Sequence, residues 1–103
     1  MLVDKLAVNS CLMLASQISG LELYTIEGLN TIESFTKLQE NFLKKGAVQC
    51  GFCTPGMLIS AYALMLKNPN ATQNEIREAI SGNLCRCTGY IPIINAIKET
   101  LEK

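Results

Sequence analysis

The sequence predicts a mainly α-helical fold, a four-helix bundle preceded by a short β fragment. Apolar residues recur at helical spacing from residue 31 onward, and helix start and stop signals divide that stretch into four segments. The first thirty residues lack this period and contain short apolar pieces instead. With 49% hydrophobic and 17% charged residues among 103, the chain can bury a core of its own.

The β fragment is predicted from short segments near the start of the chain. Residues 1–10 match a strand pair with a turn at Asp4-Lys5, and residues 21–27 are compatible with a strand. Between them, residues 11–19 match a short helix with Leu14 and Ile18 on one face and Gly20 as its C-terminal stop.

The first long helix is predicted from Phe35, Leu38 and Phe42, which fall at positions i, i+3 and i+7. Polar and charged residues occupy the positions between them, so one face is apolar and the other faces solvent. Two lysines followed by Gly46 are typical of a helix C-terminus.

Capping signals predict the other three helices. Thr54 followed by proline indicates an N-cap and first helical position, and the apolar helix that follows should run to about Leu66. Thr72 and Glu75 match a capping box, and Pro92 can open the last helix. The residues expected to face inward on these last two helices are Ile76, Ala79, Ile80, Ile94, Ile97 and Leu101.

Composition excludes several classes of function. A formal net charge of zero argues against nucleic acid or an anionic membrane surface as the main partner. The absence of histidine removes Rieske-type iron sites, mixed cysteine and histidine zinc sites, and histidine catalysis. The apolar run 57–66 is too short for a membrane span, which needs about 20 residues. No secretion signal is apparent, so five cysteines indicate a metal site in a reducing cytoplasm.

Two tight cysteine pairs are the main candidate site. Cys50 and Cys53 form a C-x2-C motif, and after 31 intervening residues Cys85 and Cys87 form a C-x-C motif. Four thiolates can hold a [2Fe–2S] cluster or one zinc ion, and spacing alone leaves both open. Structural disulfides are the weakest alternative, because the cysteine number is odd and no secretion signal is present.

The surroundings of the pairs favour the iron–sulfur cluster. Both pairs precede predicted helix starts, where unpaired backbone N–H groups and the helix dipole favour an anionic group. Arg86 lies between two of the cysteines and can offset negative charge. Phe52, Leu84 and Ile91 are expected to limit access of water.

The longer segments around the cysteines resemble a known family. Residues 49–57 (QCGFCTPGM) and 82–90 (GNLCRCTGY) closely resemble the two signatures of the small iron–sulfur subunit of molybdenum hydroxylases. This family includes xanthine dehydrogenase, aldehyde oxidoreductase and aerobic-type carbon monoxide dehydrogenase. The resemblance extends to residues 8–12 and 25–29, so it covers nearly the whole chain. It makes zinc a minor alternative.

The resemblance implies roles for individual residues. It implies that one [2Fe–2S] cluster on this chain is held by Cys50, Cys53, Cys85 and Cys87. It also implies that Gln49 contacts the pterin of a molybdopterin cofactor, and that Cys87 bridges cluster and pterin. The molybdopterin cofactor would lie on a large partner subunit that oxidises the substrate, and FAD on a medium subunit.

The resemblance further divides the chain into two parts. Residues 1–29 would be the remnant of a plant-type ferredoxin (β-grasp) domain, and residues 30–103 the helical [2Fe–2S]-binding domain. Cys11 matches the distant fourth ligand of the ferredoxin cluster, whose C-x4-C-x2-C loop is absent from this sequence. We therefore expect Cys11 to be a solitary buried thiol, and the chain to be a truncated product, a fragment or part of a split subunit.

The function expected from these residues is electron transfer within an oxidoreductase complex, with no catalytic residue on this chain. A stand-alone [2Fe–2S] carrier or redox sensor is the alternative, and a structural four-cysteine zinc module is a weaker one. The substrate stays open, because the contacts with it would lie on the large subunit.

Overall fold

A small sheet followed by a helical bundle makes up residues 1–102, the part of the chain that the computed structural model describes. The predicted fold class is confirmed, and the last residue of the predicted range 30–103 lies outside the described part. The elements are β1 (Leu2–Val3), β2 (Leu6–Ala7), β3 (Leu23–Tyr24), α1 (Ile26–Leu29), α2 (Glu33–Lys44), α3 (Thr54–Lys67), α4 (Gln73–Ile80) and α5 (Ile91–Leu101).

The predicted strand pair at the start of the chain is confirmed. β1 and β2 are antiparallel and joined by a turn in which Asp4 and Lys5 both adopt positive φ angles, 47° and 70°. Two successive left-handed residues are typical of the tight hairpin turns whose twist matches that of the strands. β3 pairs with the other edge of β1, so the strand order is β2-β1-β3.

The prediction of a short helix over residues 11–19 is wrong. The chain forms two separate 3₁₀ turns there, Ser10–Leu12 and Ala15–Ile18, and neither buries any of its residues. Leu14 connects the two turns in an extended conformation and is 68% exposed. Without an apolar face packed on the core, a single isolated turn has little reason to extend into an α-helix.

The strand predicted over residues 21–27 is shorter than expected. Only Leu23 and Tyr24 pair with β1, and the chain then turns into α1. This one-turn helix buries Leu29 completely. The helical turn places Leu29 in the core, so tertiary packing overrides the local strand preference.

Helices α2 to α5 form the predicted bundle. The predicted inward residues Phe35, Leu38 and Phe42 of α2 are all buried, and α2 packs along α5 while α3 packs against α4. The ring of Phe35 meets that of Tyr62 on α3 edge to face, with centroids 5.3 Å apart. No helix within residues 1–102 has the length and apolar character of a membrane span.

The predicted ends of the helices are mostly confirmed. Gly46 follows α2 with a φ of +71°, as a left-handed C-terminal residue should. At the start of α4, the Glu75 N–H donates to Thr72 Oγ1 (3.3 Å) and the Thr72 N–H donates to Glu75 Oε1 (2.9 Å). This reciprocal pair is the capping box that the sequence predicts.

Candidate metal centre

The four paired cysteines lie around a single open cleft of about 430 Å³. Each pair belongs to a loop that leads into a helix of the bundle, one into α3 and the other into α5. The structure thus brings together cysteines that are more than thirty positions apart in the sequence. The cleft is lined by Cys50, Phe52, Cys53, Leu84, Cys85, Arg86, Cys87 and Tyr90.

The first pair is positioned by the start of α3. Cys53 is the N-cap residue, and its carbonyl accepts from the Met57 N–H at 3.0 Å. The helix therefore begins one residue earlier than predicted, because Thr54 is its first residue and not its cap. The Thr54 hydroxyl is buried without a hydrogen-bond partner among the described residues. A sulfur-rich group held by Cys53 would supply an acceptor in this region.

The second pair is positioned by a network inside its own loop. The Cys85 N–H donates to the Tyr90 hydroxyl at 3.0 Å, and the Tyr90 N–H donates to Thr88 Oγ1 at 3.1 Å. Thr88 Oγ1 also lies 3.1 Å from Cys85 Sγ. Tyr90 caps α5 in a left-handed conformation with φ 73°, so the loop closes tightly on the helix start.

A second network attaches this loop to α3. The Asn83 side-chain amide donates to Ser60 Oγ at 2.8 Å. A Cβ on Gly56 would lie 2.6 Å from Asn83 Oδ1, so any larger residue at this position would displace the Asn83 side chain. Asn83, Ser60 and Gly56 thereby fix the distance between the two cysteine loops, a role that the sequence analysis did not assign to them.

Hydrogen bonds and burial change the pKa values of the thiols in opposite directions. The pKa of Cys85 is lowered to about 7, chiefly by its hydrogen bond with the Thr88 side chain. The pKa of Cys50 is lowered chiefly by the backbone N–H of Phe52. The pKa of Cys53 is raised to about 11, chiefly by desolvation, and that of Cys87 is raised chiefly by the neighbouring Cys50 thiol.

The arrangement of the thiols fits a group larger than a single ion. All five cysteines are free, and no three His, Cys, Asp or Glu side chains within residues 1–102 are arranged to hold one metal ion. The side-chain hydrogen bonds that shift the thiol pKa values join cysteines of different loops, Cys50 with Cys87 and Cys53 with Cys85. A zinc site needs four sulfurs about 2.3 Å from one ion. Two pairs of thiols across a cleft suit a two-iron group better.

The expectation that apolar residues shield the cleft from water is wrong. Phe52, Leu84 and Ile91 are 94%, 85% and 63% exposed, and none of them belongs to the core cluster. Arg86 is also exposed at the mouth of the cleft. The cleft is therefore open, with an apolar and cationic rim.

Two further predicted residues lie outside the cleft. Gln49 directly precedes Cys50 and is exposed, but it does not line the cavity. Cys11 is exposed in the first 3₁₀ turn, so the prediction of a buried thiol is wrong. That turn buries none of its residues, which leaves the cysteine at the surface.

Comparison with known proteins agrees with the geometry of the cleft. The family described as "[2Fe-2S] binding domain" matches residues 25–98, which include all four paired cysteines. The chain belongs to this family. The "Nicotinate dehydrogenase small FeS subunit" of Eubacterium barkeri is 50% identical over 96 residues, or 93% of this chain and 61% of that protein. The "Xanthine dehydrogenase iron-sulfur-binding subunit" of Escherichia coli O157:H7 is 44% identical over 95% of this chain and 63% of its own length.

A solved structure shares the fold. The structure of quinoline 2-oxidoreductase from Pseudomonas putida 86 matches with a TM-score of 0.86 and 46% identity, covering 97% of this chain and 62% of that one. These matches confirm the resemblance inferred from the cysteine signatures. The chain spans about three fifths of the length of the relatives named here.

Proposed function

We propose that this chain is the electron-transfer subunit, or part of it, of a molybdenum hydroxylase, with one [2Fe–2S] cluster held by Cys50, Cys53, Cys85 and Cys87. The observation that carries the proposal is the convergence of these four thiols, from two helix starts, around one open cleft. The catalytic chemistry would take place on another chain, since the described residues offer no histidine and no acid–base pair at the cleft.

The residues of the cleft suit an anionic redox group. When bound, a [2Fe–2S] cluster accepts and releases one electron at a time. The start of α3 presents its unpaired backbone N–H groups beside Cys53 and favours negative charge there. Arg86 adds a positive charge at the rim, and the Phe52 N–H stabilises the Cys50 thiolate. Each contact lowers the free energy of negative charge in the cleft.

The exposed rim suits a protein partner. Phe52 and Leu84 expose nearly all of their apolar surface beside the cysteines, and burial of that surface by another protein would be favourable. We propose a molybdopterin-binding large subunit as the partner at this rim. Gln49 and Cys87 would contact the pterin, because both are exposed. Cys87 is also a proposed ligand of the cluster, so it would connect the cluster with the pterin.

The remaining parts of the proposal follow from the family resemblance. A medium subunit with FAD would receive the electrons, in a cytoplasmic complex. Residues 1–29 would belong to a ferredoxin (β-grasp) domain and residues 30–103 to the helical domain. Leu2 of β1 nevertheless lies in the same core cluster as the helices, so the two parts pack together.

The first test is metal analysis of the chain after anaerobic reconstitution with iron and sulfide. We expect two irons and two acid-labile sulfides per chain, and an electron paramagnetic resonance signal that appears on reduction. Zinc without sulfide would refute the proposal. Co-purification with a molybdenum-containing subunit would separate an enzyme subunit from a stand-alone carrier.

The second test concerns the proposed pterin contact. In the assembled complex, Gln49→Ala should keep the full iron content and slow electron transfer from the molybdenum centre. We expect a reduction of roughly fivefold to tenfold, the equivalent of about 1 kcal/mol for one hydrogen bond. Gln73→Ala is the matched control, since Gln73 is exposed at the start of α4 and does not line the cleft. Equal turnover of Gln49→Ala and Gln73→Ala would show that Gln49 has no role at the pterin.

A further inference from the structure

Thr88 lies at the centre of a hydrogen-bond chain whose direction can be deduced. Its oxygen accepts from the Tyr90 N–H at 3.1 Å and lies 3.1 Å from Cys85 Sγ. A threonine hydroxyl has one proton to donate, and the Tyr90 amide leaves that proton free. A ligand thiolate can only accept. With Cys85 deprotonated, the Thr88 hydroxyl must therefore donate to its sulfur.

We propose that Thr88 is a positioning residue that raises the reduction potential of the cluster through this hydrogen bond to Cys85. The inference rests on the proposed function, because it requires a cluster at these cysteines. Reduction adds negative charge to the cluster and its sulfurs. A donor held at one sulfur stabilises the reduced form more than the oxidised form, so the potential rises.

The backbone around Thr88 holds the donor in a fixed place. Tyr90 adopts a left-handed φ of 73°, which is a strained conformation for a residue with a Cβ. Such strain persists only where the surroundings impose it. Here the Tyr90 amide binds Thr88, its hydroxyl accepts from the Cys85 N–H, and its ring packs against the core. The strained tyrosine thus fixes both ends of the segment that carries the donor.

The same contacts make Cys85 different from the other three cysteines. Among the described residues, Cys85 is the paired cysteine whose sulfur has a hydroxyl within hydrogen-bond distance. Its own backbone N–H is already used by the Tyr90 hydroxyl and cannot donate to a cluster sulfur.

The test is a redox titration of the reconstituted full chain and its Thr88 variants. Thr88→Val and Thr88→Ala remove the hydroxyl, and both should bind two irons and two sulfides per chain with a midpoint potential more negative than that of the unmodified chain. Thr88→Ser keeps the hydroxyl and should restore the potential. Thr31→Val is the control, since the exposed Thr31 hydroxyl donates to the Gly28 carbonyl and neither residue lines the cleft.

The outcomes separate this inference from the proposed function. If the Val and Ala variants hold a full cluster at an unchanged potential, the role of Thr88 is wrong and the cluster assignment stands. If the unmodified chain assembles no cluster, both are wrong. Circular dichroism identifies a variant that fails to fold. Because Thr88→Val and Thr88→Ala both lack the hydroxyl, either one that folds is sufficient for the comparison. If Thr88→Ser also has a more negative potential, the effect comes from loss of the methyl group, and the role of the Thr88 hydroxyl is wrong.

Discussion

Replacing Cys53 by serine is expected to abolish assembly of the iron–sulfur cluster on this chain. Cys53 is the N-cap of α3 and one of four thiols around the cleft, and its thiol is partly buried. A hydroxyl is a poor ligand for iron in a sulfide cluster, and the remaining three thiols leave one iron coordination site without a cysteine. Iron and sulfide per chain should fall to background, and the visible absorption and the paramagnetic resonance signal should disappear.

The matched control is Cys11→Ser, which removes the one cysteine outside the cleft. Cys11 is exposed in a 3₁₀ turn, so the substitution should change neither the iron content nor the spectrum. If Cys53→Ser retained two irons per chain, or if Cys11→Ser lost them, the assignment of the ligands would be wrong. Both variants keep the side-chain size nearly constant, so neither removes a large packing contact.

The parts of the fold that the sequence predicts correctly are those with many periodic positions. The α2 face of Phe35, Leu38 and Phe42 and the capping box at Thr72 depend on spacing along the chain, and both appear as expected. The segment 11–19 contains too few periodic positions to define a helix, and its conformation depends on what packs against it. For that reason the segment forms two 3₁₀ turns, and Cys11 is exposed where burial was expected.

The candidate site likewise has features that could be predicted from the sequence and features that could not. The four cysteines could be identified because ligand chemistry restricts the residue type and the spacing. The close approach of Gly56 to Asn83, and the positive φ of Tyr90, could not be identified because they depend on the distance between two loops in the fold. The exposure of Phe52 could not be foreseen either, since an apolar residue beside a metal site can shield the site or belong to an exposed interaction surface.

Phe35→Ala is the substitution for which we expect the largest loss of folding stability. The side chain is fully buried between α2 and α3, where its ring meets Tyr62 edge to face at 5.3 Å. Removing a buried phenylalanine costs about 3–5 kcal/mol, which is a large share of the 5–15 kcal/mol typical of a domain. Urea denaturation of the metal-free chain should show a lower midpoint with an unchanged slope.

Phe52→Ala provides the matched control for that loss. Phe52 is 94% exposed, so its removal should change the free energy of unfolding by less than about 0.5 kcal/mol. Equal midpoints for the two variants would show that Phe35 is not a core residue. Because the cluster would bind only the folded chain, adding iron and sulfide should raise the midpoint of Phe35→Ala by mass action. That recovery would show that the substitution weakens the core while leaving the four-cysteine cleft able to form.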